Sequence, residues 1–429
     1  MSDPGSTSTL RAKRRRGVDA FWLLLVTAGI CSPCGTNAQT RYLDDYLRIA
    51  ESNSPLLKDQ AYQREALALD SSDIRAAFGL QVNGSSQFLY APNGAHWGYD
   101  PAITNGGLYS AVVGASVPLF NSGRKRTGLD SVALRGNALV LAKEGTLLDL
   151  HLRVTDQYIN TYADQRVLAA AEDRMRLLAE EEAVMQHLVE QGIYQQIDLL
   201  NLRVTAQAQR IAASKAKALL KNDLLTLNTL CGLADTALAE LAPLALQAPV
   251  SFDPSASPGL RQFAVDSLTN NIADRSVDLN YRARLNAVGD AGLNAAMISD
   301  VPNRFGASAG LNLSMPIYDG NRRRTQHDRI ALREKSRTAH QGFYTEQLQL
   351  RHIQLREALA QADTLLAGTQ RQSADEEHLL ALYRVELEQG LVRLTDLFLA
   401  LENHARTVND IIQTEADRSH IVNALTHLQ

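Results

Sequence analysis

The sequence predicts an α+β chain in which one helix, two β-strands and a long helical hairpin occur twice in the same order. Three observations predict it. Val117-Pro118-Leu119-Phe120-Asn121-Ser122-Gly123-Arg124-Lys125-Arg126 resembles Met315-Pro316-Ile317-Tyr318-Asp319-Gly320-Asn321-Arg322-Arg323-Arg324, and Pro118 and Pro316 are 198 residues apart. Four runs of about ten residues alternate with the period of a strand. Two tracts, Arg124 to Gln191 and Arg322 to Gln389, each run 68 residues without a proline.

The first 38 residues read as a secretory signal peptide. Arg11, Lys13, Arg14, Arg15 and Arg16 form a basic start, Phe21 to Val26 lie in a short apolar stretch, and Thr36-Asn37-Ala38 is a small-residue cleavage site. A lipid anchor on Cys31 is disfavoured, because Ile30 is bulky before a lipidated cysteine. Of the three cysteines, Cys31 and Cys34 lie in this leader and only Cys231 follows, so no disulfide framework is available. After the leader no apolar run reaches the ~18 residues of a membrane helix. The chain has 43 basic and 47 acidic residues, a net charge of −4, with no bulk footprint for nucleic acid.

The first repeat spans 39–232, a linker rich in Ala, Leu, Pro and Ser spans 233–257, and the second repeat spans 258–429. Each opens with a helix, about Pro55–Phe78 and about Pro258–Leu279. Strand-like runs follow. Leu80, Val82, Gly84, Ser86, Phe88 and Tyr90 alternate with Gln81, Asn83, Ser85 and Gln87. Tyr109, Ala111, Val113, Ala115 and Val117 alternate with Ser110, Val112, Gly114 and Ser116. The second repeat offers Tyr281 to Ala287 and Ala307 to Met315. Such alternation suits either a soluble sheet with one wet face or tilted membrane strands. The leader, the matched lengths, and loops rich in Gly, Asn and Pro (Ala91–Gly107, Gly289–Arg304) favour the membrane. Open edges cannot sit in lipid, so four such strands require several chains to pool them.

Pro118 and Pro316 end strands, where a missing N–H is tolerable. Arg124-Lys125-Arg126 and Arg322-Arg323-Arg324 then open the long helices, where cations oppose the macrodipole. Anionic lipid headgroups are one expected partner; a solvated rim is the alternative. A 68-residue helix spans about 100 Å, more than a compact domain needs. Its apolar seam (Leu134, Ala138, Leu141, Leu148, Leu152, Ile159) has small and polar breaks, as expected for a helix packed between two neighbours. The opening helix and the return tract (Gly192–Leu230, Gly390–His427) together match the long helix in length. Gly192 and Gly390 mark the turns, where positive φ is cheap.

Several features resemble chemistry without its context. Gly306-Ala307-Ser308-Ala309-Gly310 matches G-x-S-x-G but continues a strand, where a nucleophile elbow needs a strand–turn–helix. No H-E-x-x-H or phosphate loop occurs, and no cofactor, metal or catalytic residue is expected. His352 reads as packed, and Glu180-Glu181-Glu182 as a solvated helix face.

The repeated Pro-[Leu/Ile]-[Phe/Tyr] junction and the repeated Gly-x-x-x-x-x-Asp (Gly192 to Asp198, Gly390 to Asp396), duplicated at one offset, resemble the TolC family of outer-membrane efflux and secretion channels over about residues 40–428. The resemblance implies a homotrimer with a long α-helical periplasmic barrel. Four β-strands per chain would contribute to a shared 12-stranded outer-membrane β-barrel. It implies a passive exit duct of a tripartite efflux pump or a type I secretion system, with no enzymatic activity. The implied partners are outer-membrane lipid, a periplasmic adaptor (membrane fusion) protein and an inner-membrane pump of RND or ABC type. By the family pattern, Gly192, Ile193, Gly390 and Leu391 dock the adaptor. Asp396 lines the closed pore as a carboxylate ring, and Asp198 joins the bonds that hold the tips shut. Arg393 is a candidate cross-bridge to Asp198. The family's second ring position is Leu399 here, which implies one acidic tier. The alternatives are a periplasmic coiled-coil scaffold without channel activity and an exported hydrolase using Ser308.

Overall fold

The computed structural model describes residues 40–428, except 93, 95, 101, 103–105, 390 and 392. The leader, with Cys31 and Cys34, and the tip residue Gly390 lie outside the described residues.

The first repeat begins with α1 (Leu43–Asn53) and α2 (Pro55–Ala77). Pro55 at the first helical position of α2 lacks an N–H to donate backwards, and Ser54 Oγ accepts from Leu57 N–H at 3.4 Å. The chain therefore breaks there. Strands β1 (Gln81–Tyr90) and β2 (Gly107–Pro118) follow, then α3 (Ser122–Glu190, 69 residues) and α4 (Gln196–Leu230). The second repeat supplies α5 (Pro258–Asn280), β3 (Arg284–Ala295), β4 (Phe305–Ser314), α6 (Arg322–Glu388, 67 residues) and α7 (Leu394–Thr426).

One boundary differs from the sequence expectation. Tyr281 caps α5 instead of starting a strand, and β3 continues through Gly289, Asp290 and Gly292, residues that suggested a loop. The glycines are there because neighbouring backbone comes close. A Cβ on Gly292 would lie 2.3 Å from Ala111 O and 2.6 Å from Val112 Cα.

The strands form one antiparallel sheet in the order β1-β2-β3-β4. The helices pack beside it as a wall. Near the sheet, α3 lies between α2 and α5: Gln60 donates to Thr146 Oγ1 (2.8 Å), and Arg261 pairs with Glu144 (2.6 Å). Further along, α3 lies between α4 and α7: Gln157 donates to Asp223 O (3.2 Å), and Asn423 donates to Leu152 O (3.0 Å). In the same way α6 runs beside α5 and then α7, through Ser267 to Glu334 (3.0 Å) and Arg418 to Asp363 (2.5 Å). A continuous helix thus lies beside a broken one in each repeat, because α2 and α4 together match the length of α3.

Among the described residues, three apolar clusters hold the wall; the smallest packs Leu355 and Leu359 of α6 on Val422 and Leu425 of α7, and the other two are larger. One surrounds Tyr46, Val154, Tyr158, Leu227, Cys231 and Leu241, where the linker crosses the helices. Here Tyr158 Oη donates to Ala242 O at 2.8 Å, and burial raises its phenol well above the ordinary range. The other cluster joins the two hairpins near their turns, through Leu178, Met185, Leu202, Leu387, Leu397 and Leu401. At about 1.5–3 kcal/mol per buried large aliphatic side chain, these clusters dominate the cohesion of an otherwise open wall.

Candidate functional site

The strand register sorts the sheet into two faces. Val82 opposes Ala115, Phe88 opposes Tyr109, Val117 opposes Ala287, and Leu285, Ala287 and Leu293 oppose Leu313, Leu311 and Phe305. The apolar alternates of all four strands therefore fall on one face, and Val82, Phe88, Tyr90, Val113, Phe305, Leu311 and Leu313 on it are exposed. The other face carries Gln81, Asn83, Ser110, Ser116, Asn286, Ser308, Asn312 and Ser314. Ser308 Oγ donates to Asp290 Oδ2 at 2.7 Å, as a cross-strand polar pair within a continuous strand.

At the junction, Pro118 ends β2, and Pro316 lies two residues beyond β4. The basic clusters divide their work. Arg124 caps the C-terminal end of α5: Nε and Nη2 donate to Leu279 O (3.0 and 2.8 Å), and Nη2 also donates to Arg282 O (2.9 Å). A cation that opposes the dipole of its own helix thereby satisfies that of another. Arg323 pairs with Asp278 (2.6 Å) and lies 5.7 Å from the Tyr281 ring centre. Arg322, the first residue of α6, is exposed and makes no side-chain hydrogen bond or ion pair among the described residues. On the same pair of helices, His327 bridges Asp274 (2.6 Å) and Asp278 (3.2 Å), and the bond to Asp274 raises its pKa above that of a free imidazole.

At the tip, Gly192 has φ 77°, with Gly192 N–H donating to Val189 O (3.0 Å) and Ile193 N–H to Leu188 O (2.9 Å). This is a Schellman stop. Leu391 N–H donates to Glu386 O (2.9 Å) in the matching position. Ile193 and Leu391 are exposed, 48% and 71%. Asp198 and Asp396 are each the third residue of a return helix. Asp198 accepts from Gln195 N–H at 3.1 Å in a capping box. Asp396 is exposed and, among the described residues, has no side-chain partner. Arg393 is the N-cap residue of α7 and exposed; it makes no ion pair with Asp198 among the described residues. Leu399, one turn beyond Asp396, is also exposed.

Two features go beyond the sequence expectations. Glu181 is not part of a solvated face: it is buried and accepts from Arg384 Nε at 3.1 Å, while Glu182 accepts from Arg203 at 2.8 Å. Asp164 on α3 and Asp223 on α4 meet side by side, and burial, followed by the Asp223 carboxyl, pushes the Asp164 carboxyl up to about 6. In an antiparallel hairpin turning at Gly192, residues at similar distances from the turn face each other. Asp164 and Asp223 lie 28 and 31 residues from it, a signal the sequence already held. His352 is packed, stacked on Phe252 with ring centres 4.2 Å apart.

The family model described as Outer membrane efflux protein matches residues 46–233. No curated protein matches the sequence. Solved structures share the fold at low identity. A structure of CusC, described in terms of folding and transmembrane channel formation, is 14% identical, with 90% of this chain and 91% of that one covered and a TM-score of 0.73. The outer membrane protein VceC of Vibrio cholerae is 11% identical, covering 90% and 95%, at 0.71. The open-state MtrE outer membrane channel of Neisseria gonorrhoeae is 14% identical, covering 90% and 88%, at 0.67. The first repeat is thus similar to the outer membrane efflux proteins, and both repeats together share the fold of solved outer-membrane channels.

Proposed function

We propose that three copies of the chain close a twelve-stranded barrel and a helical tunnel, and that the assembly is a passive exit duct of a tripartite efflux pump or type I secretion system. The observation that carries this is the sheet. Its apolar face is uncovered among the described residues, its opposite face is polar, and its outer strands β1 and β4 each pair on one side only. Exposed apolar surface against lipid, a wet lumen and no free edge are satisfied together only by closure.

The helical wall supports the same closure. Its lateral edges are α2 and α4 on one side and α6 on the other. Leu56, Tyr62, Leu69, Ile197, Leu200, Val204 and Ile211 are exposed on the first, and Leu332, Phe343, Leu350, Leu365 and Val385 on the second. Different patches at the two edges suit a head-to-tail ring. The chain exposes 29302 Å²; a compact monomer of its mass exposes about 16,000 Å².

Within this duct, Asp396 lines the closed tip as a ring of carboxylates, Asp198 and Arg393 take part in holding it shut, and the tip residues Gly192, Ile193, Gly390 and Leu391 dock the periplasmic adaptor, which connects to an inner-membrane transporter. Pro118, Pro316, Arg124 and Arg322 form the junction, with Arg322 free to meet anionic headgroups. The test is the mass of the purified full-length protein in mild detergent, followed by planar-bilayer recording. A trimer that conducts is expected. A monomer that carries no current overturns the duct in favour of a non-conducting scaffold.

A further inference from the structure

The four strands contain only two charged residues, Arg284 and Asp290, both on β3 and both on the polar face. A charge on the lipid face of a barrel is destabilising, by up to about 2–4 kcal/mol for Arg or Lys at mid-depth and by less for Asp or near the interfaces, which accounts for the side but not for the presence of either residue. Asp290 stands in the middle of its strand, opposite Gly114 on β2 and Ser308 on β4. Gly114 leaves the space on one flank empty. Ser308 Oγ, donating at 2.7 Å, holds the carboxylate from the other. Arg284 begins the strand at the end nearest the helices, opposite Ser314, and forms no ion pair among the described residues.

We infer that Asp290 and Arg284 form two oppositely charged belts on the lumen wall, an acidic one at mid-barrel and a basic one at the helical end, and that they set the ion preference of the barrel. The inference rests on the trimeric duct proposed above, since only closure turns one Asp and one Arg per chain into belts of three. Six residues of strand separate them by about 20 Å. The screening length at physiological salt is about 8 Å, so the belts act separately on a passing ion. The acidic belt attracts cations and repels anions; the basic belt does the reverse. This selection is distinct from any at the tip, which lies at the far end of the helical shaft.

The experiment measures the K⁺:Cl⁻ permeability ratio from reversal potentials in a KCl gradient. It uses the purified full-length protein in planar bilayers, with Asp396→Asn present throughout so that the tip carboxylate does not dominate. Asp290→Asn is expected to lower the ratio about twofold and Arg284→Gln to raise it by a similar factor, modest because both charges are wet. Asp290→Glu and Ser308→Ala are expected to leave it close to the parent value, since both keep the charge. A ratio unmoved by Asp290→Asn and Arg284→Gln, or moved in one direction by both, overturns the inference. So does a Ser308→Ala channel that behaves like Asp290→Asn, which would make Asp290 a structural partner of Ser308. The parent channel adds a measurement that needs no further substitution: in 1 M salt, where the screening length falls to about 3 Å, its preference should fade, and a preference that persists counts against the belts. Absence of conductance in every version, parent included, refutes the duct itself, a failure distinct from that of the belts.

Discussion

Arg384 of α6 donates from Nε to Glu181 of α3 at 3.1 Å, across the boundary between the two hairpins. The Glu181 side chain is 11% exposed, and the pair sits beside the apolar cluster that joins the hairpins near their turns. Removing Arg384 leaves a buried carboxylate short of its cation. Arg384→Ala should lower stability by about 1–3 kcal/mol, read by thermal unfolding in detergent. Glu181→Gln, which removes the charge together with its need, should cost less. Equal losses would show that the pair matters only for packing.

Asp164 and Asp223 supply a prediction of opposite sense. The folded pKa of Asp164, about 6, lies above the ordinary value of 3.8, so the folded state holds a proton that the unfolded chain has released. The stability this contributes is fully present below about pH 3.8 and is lost as pH rises through about 6. Asp164→Asn should therefore stabilise the protein at pH 7.5, by about 1 kcal/mol after screening is allowed for, and do little at pH 3.5. Melting temperatures at the two pH values check it; destabilisation at pH 7.5 would refute it.

His327 behaves in the same sense for a different reason. Its ring bridges Asp274 and Asp278, which favour the imidazolium. Its contribution is fully present below the unfolded histidine pKa of about 6.5 and is lost as pH rises through the raised folded value. His327→Gln should flatten the stability profile between pH 6 and 9, as followed by thermal melts. A profile that keeps the wild-type slope would assign the dependence elsewhere.

Gly292 is the residue on which the sheet can be tested. Gly292→Ala places a methyl 2.3 Å from Ala111 O, so β2 and β3 must separate locally. The expected result is loss of the proposed trimer on gels, from strain of about 1–3 kcal/mol per chain. Gly84→Ala, where a Cβ meets nothing within 4 Å, is the control expected to assemble normally.

Asp396→Asn tests the proposed gate. Removing the carboxylates from the tip should change single-channel conductance and weaken block by divalent cations. A recording indistinguishable from wild type would remove Asp396 from the gate and leave the position it shares with Asp198, third in a return helix, as a helix-start device only.

The duplicated unit and its lengths were legible in the sequence because they rest on local physics. A proline-free tract has no reason to break, so α3 and α6 could be dimensioned from residue counts. Gly192 could be placed at a turn because positive φ is costly for any other residue. Period-2 alternation identified β1, β2 and β4 for the same reason, since side chains on a strand point alternately to two faces. The extent of β3 was hidden, because Gly289 and Gly292 signal a loop unless the approach of β2 is known. Glu181 was misjudged because three consecutive glutamates on a helix point in different directions, and only the position of α6 decides which one is enclosed.

By itself, then, the sequence determined the order, the length and the period of the elements, since each depends on residues close together along the chain. Tertiary structure alone decided which groups these charges meet: Arg384 with Glu181, Arg124 with the end of α5, and Asp290 with Ser308. Such pairings depend on the packing and register of segments that lie from 18 to more than 200 residues apart, and no local preference encodes them.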